Sequence, residues 1–222
     1  MKKVIIADAG SSFGKKITEK FLKEGWKVYA GYMDKVNLPE TAGDLIPFEF
    51  EAKNHPSVLA LRELIGEAVD MIIVNVDKQL GDPDTTISED IDFDSMREAY
   101  EYNTLTPLYL INASMPLLEK GELKRICVVT TKDASNNACY DTANYYNHVS
   151  RAPLNMAVTQ LFNGLRPEGY SFRYYCKDTQ NGNDDWAFDY FTRGRSYEPW
   201  DLKHSDEERI VLRDWQAREV PW

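Results

Sequence analysis

Cysteine and histidine are scarce in this chain, whose 222 residues hold three of each. Cys127, Cys139 and Cys176 form no CxxC pair and no framework of the kind that staples small secreted domains. His55, His148 and His204 lack the spacing of a ligand set, so no metal site is expected. Basic charge is short as well. Against 36 Asp and Glu stand 26 Lys and Arg, a formal charge of -10 with a pI near 4.9. That balance argues against nucleic acid or an anionic membrane as a partner. No apolar run nears the length of a membrane span, and with a strand pattern at the outset no signal peptide is expected. A cytoplasmic location is the expectation. A Pro/Gly/Ser linker and an internal repeat are also missing, so one domain over residues 1–222 is expected.

What the chain does have is a steady alternation of strand and helix patterns, the mark of a parallel sheet with crossover helices. Strands are predicted at Lys3–Ala7, Lys27–Ala30, Leu45–Phe50, Asp70–Val76, Arg125–Thr130 and Ser171–Cys176. The fourth is a continuous apolar run, as expected of a strand covered on both faces. Helices are predicted along Phe13, Ile17, Phe21 and Leu22 up to Gly25, then over Ser57–Ala68, Asp94–Leu118 and Ala143–Leu165. The fold class is α/β: a Rossmann-like, doubly wound, mostly parallel sheet in three α/β/α layers. Beyond Lys177 the periodicity weakens. Residues 178–222 form an aromatic-rich extension carrying Trp186, Trp200, Trp215 and Trp222. Such a segment is expected to dock, on the sheet edge, over the site cleft or against a second subunit.

The segment VIIADAGSSFGKKITEKFLKEGWKVYAG resembles the opening of short-chain dehydrogenases/reductases, and the resemblance runs over residues 1–178. In that family the first strand ends in a T-G-x-x-x-G-x-G loop, whose last Gly precedes another at the helix end. Gly14 and Gly25 have the family's separation of eleven. In this register Asp8 and Ser12 replace the first two glycines, and Phe13 and Gly14 complete the loop. A shifted register, with Gly10 first, puts Lys16 at the last glycine and loses the helix spacing. Pyrophosphate binds such a turn because bare N–H groups and a helix N-terminus approach it closely. A carboxylate at Asp8 adds bulk and like charge there. By the same resemblance Tyr32 stands where a ribose-binding acid or a phosphate-binding Arg would follow the second strand, and Glu51 lies near the adenine. Val74-Asn75-Val76-Asp77 replaces N-N-A-G, keeping Asn75 and exchanging the glycine for Asp77. The resemblance implies NAD(P) binding that is weak or lost.

SRAPLNM is similar to the family's S-K-A-A-L-N-M and sets the register of the last long helix. The family's Lys falls on Arg151 and its proton-donating Tyr on Asn147, four residues earlier on the same helix face. Arg151 is always charged and can hold ribose hydroxyls. Asn147 cannot act as a general acid or base. ICVVTT is similar to I-V-N-I-S-S and puts Thr131 at the catalytic serine, while Asn103 in EYNTLTPLYL matches the asparagine that carries a relay water. Lys177-Asp178 replaces the P-G after the sixth strand. Three functions follow as expectations. The leading one is a degenerate, non-catalytic structural or regulatory subunit of an oxidoreductase complex, paired through its two long helices with itself or with an intact paralogue. The second is an NAD(P)-dependent oxidoreductase with a rearranged site using Tyr140, Tyr145 or Tyr146. The third is a sensor of a small ligand.

Overall fold

Strands that are apolar on both faces must be covered on both, and the computed structural model does this with two helical layers. It describes residues 1–33, 38, 43–193 and 206–222, so Trp200 and His204 lie outside the described residues. Strands β1 (Lys3–Ala7), β2 (Lys27–Tyr32), β3 (Leu45–Glu49), β4 (Met71–Val74), β5 (Arg125–Thr130), β6 (Ser171–Cys176) and β7 (Leu212–Asp214) form one sheet. Their order is β3-β2-β1-β4-β5-β6-β7, and every neighbouring pair is parallel. The reversal of order beside β1 opens a crevice at the carboxyl ends of the strands.

Helices α1 (Ser12–Lys23) and α7 (Asp185–Thr192) cover one face. There Phe13, Ile17, Phe21, Tyr190 and Phe191 pack on Val4, Ile6, Cys127 and Tyr175. Helices α2 (His55–Leu59), α3 (Leu61–Ile65), α5 (Thr106–Leu118) and α6 (Tyr145–Leu165) cover the other. Leu61, Leu110, Leu154 and Val158 meet Ile5, Val74 and Val128 there. The three-layer α/β/α reading holds.

The helix expected over Ser57–Ala68 is instead two short ones. Asn54 caps the Ser57 N–H and Pro56 occupies the first turn, which starts the helix early. Gly66, at φ 61, ends it. The long helix expected over Asp94–Leu118 is broken too. It comprises α4 (Phe93–Tyr100), a π turn at Glu101–Leu105, and α5. Pro107 has no N–H for the Asn103 carbonyl, and the Thr106 hydroxyl bonds the Glu101 carbonyl at 2.8 Å. The widened turn follows, and it buries Asn103.

The extension docks on the sheet edge. Its β7 pairs with β6, Val220 folds back on Leu212 by an N–H···O bond of 2.8 Å, and Trp222 packs edge-on against Tyr174 at 5.5 Å. Three buried arginines hold it. Arg125 donates at 2.6 Å to the carbonyls of both Phe191 and Arg193, meeting orphan acceptors at the end of α7. Arg173 pairs with Glu207 at 2.8 Å and Arg213 with Asp206 at 2.9 Å. Among the described residues no helix is long and apolar enough to cross a membrane.

Candidate functional site

Parallel strands deliver their carboxyl ends to one side of the sheet, and the chain's family-matched positions gather there. The β1 turn keeps the shape of a glycine loop without its glycines. Asp8 adopts φ 57, the left-handed region that glycine enters freely. Gly14 remains obligatory, because a Cβ there would overlap the Asp8 carbonyl oxygen. Ser11 is the N-cap of α1 and the centre of the turn. Its hydroxyl donates to the Asp8 carbonyl at 2.9 Å and accepts from the Gly14 N–H at 3.1 Å and from Asn75 Nδ2 at 2.8 Å. A side chain of the protein thus occupies a helix-terminal donor of the kind that holds phosphate. Ser12 lines a cavity of about 380 Å³ beside Lys16 and Lys177, bordered by Asp178 and Gly182 of the extension.

An ion network spans the crevice above this turn. The Asp77 carboxylate takes Lys177 Nζ at 2.7 Å on one oxygen and Arg151 Nη2 at 3.2 Å on the other. Arg151 also reaches Asp133 at 3.3 Å, and Lys177 reaches Asn75 Oδ1 at 3.5 Å. Burial works to raise the Asp77 carboxyl, but the two cations outweigh it and hold it below the ordinary range. Asp8 fares the opposite way. Burial pushes its carboxyl up to about 6, with Asp77 adding to the rise and Lys177 opposing it.

Asn103, Thr131, Asn147 and Arg151 are the positions that the family resemblance singled out for catalysis. Asn103 is turned inward by the π turn, accepting from the Lys78 N–H at 2.7 Å and donating to Ser150 Oγ at 2.8 Å. Thr131, Asn147 and Arg151 are 3%, 0% and 5% exposed. Among the described residues each keeps one buried polar atom without a partner: Thr131 Oγ1, Asn147 Oδ1 and Arg151 Nε. Asn147 is otherwise tied to Asn144 through its amide nitrogen. Of the nearby tyrosines, Tyr146 is buried with its hydroxyl accepting the Asp92 N–H at 3.1 Å, and Tyr140 is 90% exposed.

Three other expected positions stand outside this network. Phe13 is a core residue, stacked on Tyr175 at 5.8 Å. Tyr32 is buried and lines an apolar cavity with Phe48, Phe50 and Leu61. Glu51 is exposed and accepts from Asn54 Nδ2 at 2.9 Å. Ser11 and Asp133 were not among the expected site residues. A serine directly ahead of an amphipathic helix is a readable N-cap signal, whereas nothing in the sequence marks Asp133. Among the described residues no group of three or more His, Cys, Asp or Glu is placed to hold a metal ion.

No family model matches the chain. In sequence it is similar to C-signal of Myxococcus xanthus, 38% identical over 81 residues, which cover 36% of this chain and 49% of that one. It is also similar to short-chain dehydrogenase srdF of Neurospora crassa, 26% identical over 145 residues, 60% of this chain and 57% of that one. The chain therefore spans about half the length of these relatives. In structure it is similar to a Burkholderia multivorans chain described as a short-chain dehydrogenase/reductase with bound NADP. The TM-score is 0.74 at 17% identity, over 100% of this chain and 99% of that one. The chain has the fold of the short-chain dehydrogenases/reductases, and that family fits its sequence.

Proposed function

We propose that this chain is a short-chain dehydrogenase/reductase-type protein that has given up hydride transfer and serves as a structural or regulatory subunit. The observation that carries the reading is the Asp77 carboxylate bonded to both Lys177 and Arg151. Arg151 stands at the position whose charge holds the nicotinamide ribose in the family, and here that charge is turned inward. The cleft residues do not fit a dinucleotide. Asp8 and Asp77 set negative charge beside a dianionic group, and the Ser11 hydroxyl takes a helix-terminal N–H that a phosphate would need. Asn147 supplies no proton. A relative named for a signal agrees with a role outside turnover.

Titration calorimetry with NAD⁺, NADH, NADP⁺ and NADPH tests this. Dissociation constants of about 1 mM or weaker are expected. Micromolar binding of any of the four would refute the reading. The partner follows from the surface of α4 and α6, where Tyr100, Val149 and Met156 are exposed. Pairing through these helices, with a second copy or an intact paralogue, would cover them. Light scattering of the chain, alone and mixed with such a paralogue, checks it; a monomer in both refutes it.

One observation favours a second reading, the small-ligand sensor. The partnerless atoms of Thr131, Asn147 and Arg151 offer a hydroxyl, an amide oxygen and a guanidinium N–H to a small polar molecule.

A further inference from the structure

The loop after β5 holds a second constellation, which the family-matched cleft does not use. Cys139 lies in the segment between the 3₁₀ turn Lys132–Ala134 and α6. The Cys139 Sγ is 3.6 Å from His148 Nδ1, in the first turn of α6. On the far side of the ring, His148 Nε2 is 3.3 Å from Asp141 Oδ2. Nδ1 also lies 3.0 Å from the Asp133 carbonyl oxygen. The segment is fastened from below. Ser135 Oγ bonds the Pro221 carbonyl, Asn137 Nδ2 donates to the Trp222 carbonyl at 2.8 Å, and the Ala138 N–H donates to Ser135 Oγ at 3.0 Å.

These groups open on a cavity of about 350 Å³ that also takes in Lys132, Lys177, Arg218, Asp178 and Asp214. From this geometry we infer that Cys139 is a nucleophilic thiol, served by His148 as base with Asp141 orienting the ring, that accepts the acyl group of a small polar ester. The arrangement follows the general rule for an activated nucleophile: a base within reach, itself oriented by a third group. With Nε2–H held by Asp141, Nδ1 is left to take the thiol proton. Once it has done so, the ring carries two N–H groups, which the Asp133 carbonyl and Asp141 accept, and the sulfur is left free to attack. The sulfur then bonds to the ester carbonyl carbon, the bond to the leaving alcohol breaks, and that alcohol departs with the proton from His148. Cys139 is left as a thioester. Charges of both signs line the cavity beside the rings of Tyr140 and Trp215, which leaves a short acyl chain an apolar wall and the polar part of the ester its charged partners.

The other two cysteines are built-in controls. Burial pushes the Cys127 and Cys176 thiols up to about 12 each, so neither supplies thiolate near neutral pH.

The probe is p-nitrophenyl acetate, added to the full chain at neutral pH, with nitrophenol release followed by absorbance and the acetyl group located by peptide mass spectrometry. One nitrophenol released per chain, with the acetyl group on Cys139 and none on Cys127 or Cys176, is expected. His148→Gln should slow acylation by about 10²-fold, and Asp141→Asn by a smaller factor. In the wild-type chain itself, Cys139 should react at least about tenfold faster folded than in guanidinium at the same pH, a comparison that needs no variant to fold. Equal rates folded and unfolded, acylation elsewhere than Cys139, or a folded His148→Gln variant reacting like wild type would overturn the assignment. The test is independent of cofactor binding, so its failure leaves the reading of the dinucleotide cleft where it stands.

Discussion

Replacing Asp8 with Asn should stabilise the protein, and only where the native carboxyl is charged. Asparagine enters the left-handed region about as readily as aspartate, so the φ of 57 at this position is retained and the backbone contribution nearly cancels. What changes is the ionisable group. Asp8 has its carboxyl raised from 3.8 to about 6, chiefly by burial. A carboxyl whose folded value lies above its unfolded one favours the fold while protonated. That contribution is present in full below the unfolded value and is lost as pH rises through the folded one. A shift of about two units corresponds to at most ~3 kcal/mol. Because Asp8 is only partly buried, about 1–3 kcal/mol is the expected gain for Asp8→Asn at neutral pH. For a chain of this size that amounts to a rise in melting temperature of roughly 2–10 °C. The assay is paired thermal melts of the two proteins across the range from about pH 4 to about pH 7.5, the window the shift defines. The gap should be small at the acid end and open between about pH 4 and pH 7. A gap of the same size at both ends, or a variant less stable than wild type at neutral pH, would show that the Asp8 carboxyl is not desolvated as the geometry implies.

Three further outcomes are expected. Asp206→Ala removes one carboxylate from the buried Arg213 guanidinium and the acceptor of the buried Tyr190 hydroxyl, at a cost of about 2–5 kcal/mol; urea unfolding reads this, and a loss under 1 kcal/mol would refute it. Trp222→Ala removes the ring packed on Tyr174 and should cost about 1–3 kcal/mol, while truncation after Lys177, which deletes α7 and β7, should leave the chain insoluble or melting far lower; an unchanged melt would show the extension dispensable. Asn147→Tyr with Arg151→Lys should show no oxidation of reduced nicotinamide by absorbance with simple ketones or aldehydes until Asp77→Gly, Asp8→Gly and Ser12→Gly are added; activity in the double variant alone would mean that the phosphate turn was never the obstacle.

The fold was legible because its signal is local and repeated. Lys3–Ala7, Asp70–Val76 and Arg125–Thr130 each read as short runs between turns, and each holds a central strand. The breaks in the helices were less so. Pro107 gave notice of the π turn, but the pattern of apolar residues runs on past it and reads as one helix. The extension's docking rests on Arg125, Arg173 and Arg213, all essentially buried. An arginine in a strand is normally taken for a solvent-facing residue, and only the carbonyls at the end of α7 for Arg125 and Arg173, and the Asp206 carboxylate for Arg213, reveal why these are not. The site shows the same limit. Family spacing singled out Asn103, Thr131, Asn147 and Arg151, which the structure buries. The pairing that closes the crevice joins Asp77 to Lys177 across 100 positions and to Arg151 across 74, and no window of sequence contains it.

Two carboxylates in one crevice have been driven in opposite directions, and that contrast explains the state of the site. Asp77 and Asp8 sit in the same field of Lys177 and are both withdrawn from water. Asp77 receives two cations in direct contact and is held ionised. Asp8 receives none in contact, only the more distant pull of Lys177, and burial prevails. Such divergence often marks an acid and base pair assembled for catalysis. Here the low member serves as an anion for the protein's own cations, Lys177 and Arg151. An arriving dianion would have to displace Asp77 from Lys177 and Arg151, leaving a buried carboxylate unpaired, a cost of several kcal/mol. It would gain contacts of the same kind as those it broke. Restoring a tyrosine at Asn147 does nothing to that exchange, whereas removing the Asp77 carboxylate frees both cations at once. On the proposed reading, the obstacle to chemistry in this cleft is electrostatic before it is catalytic.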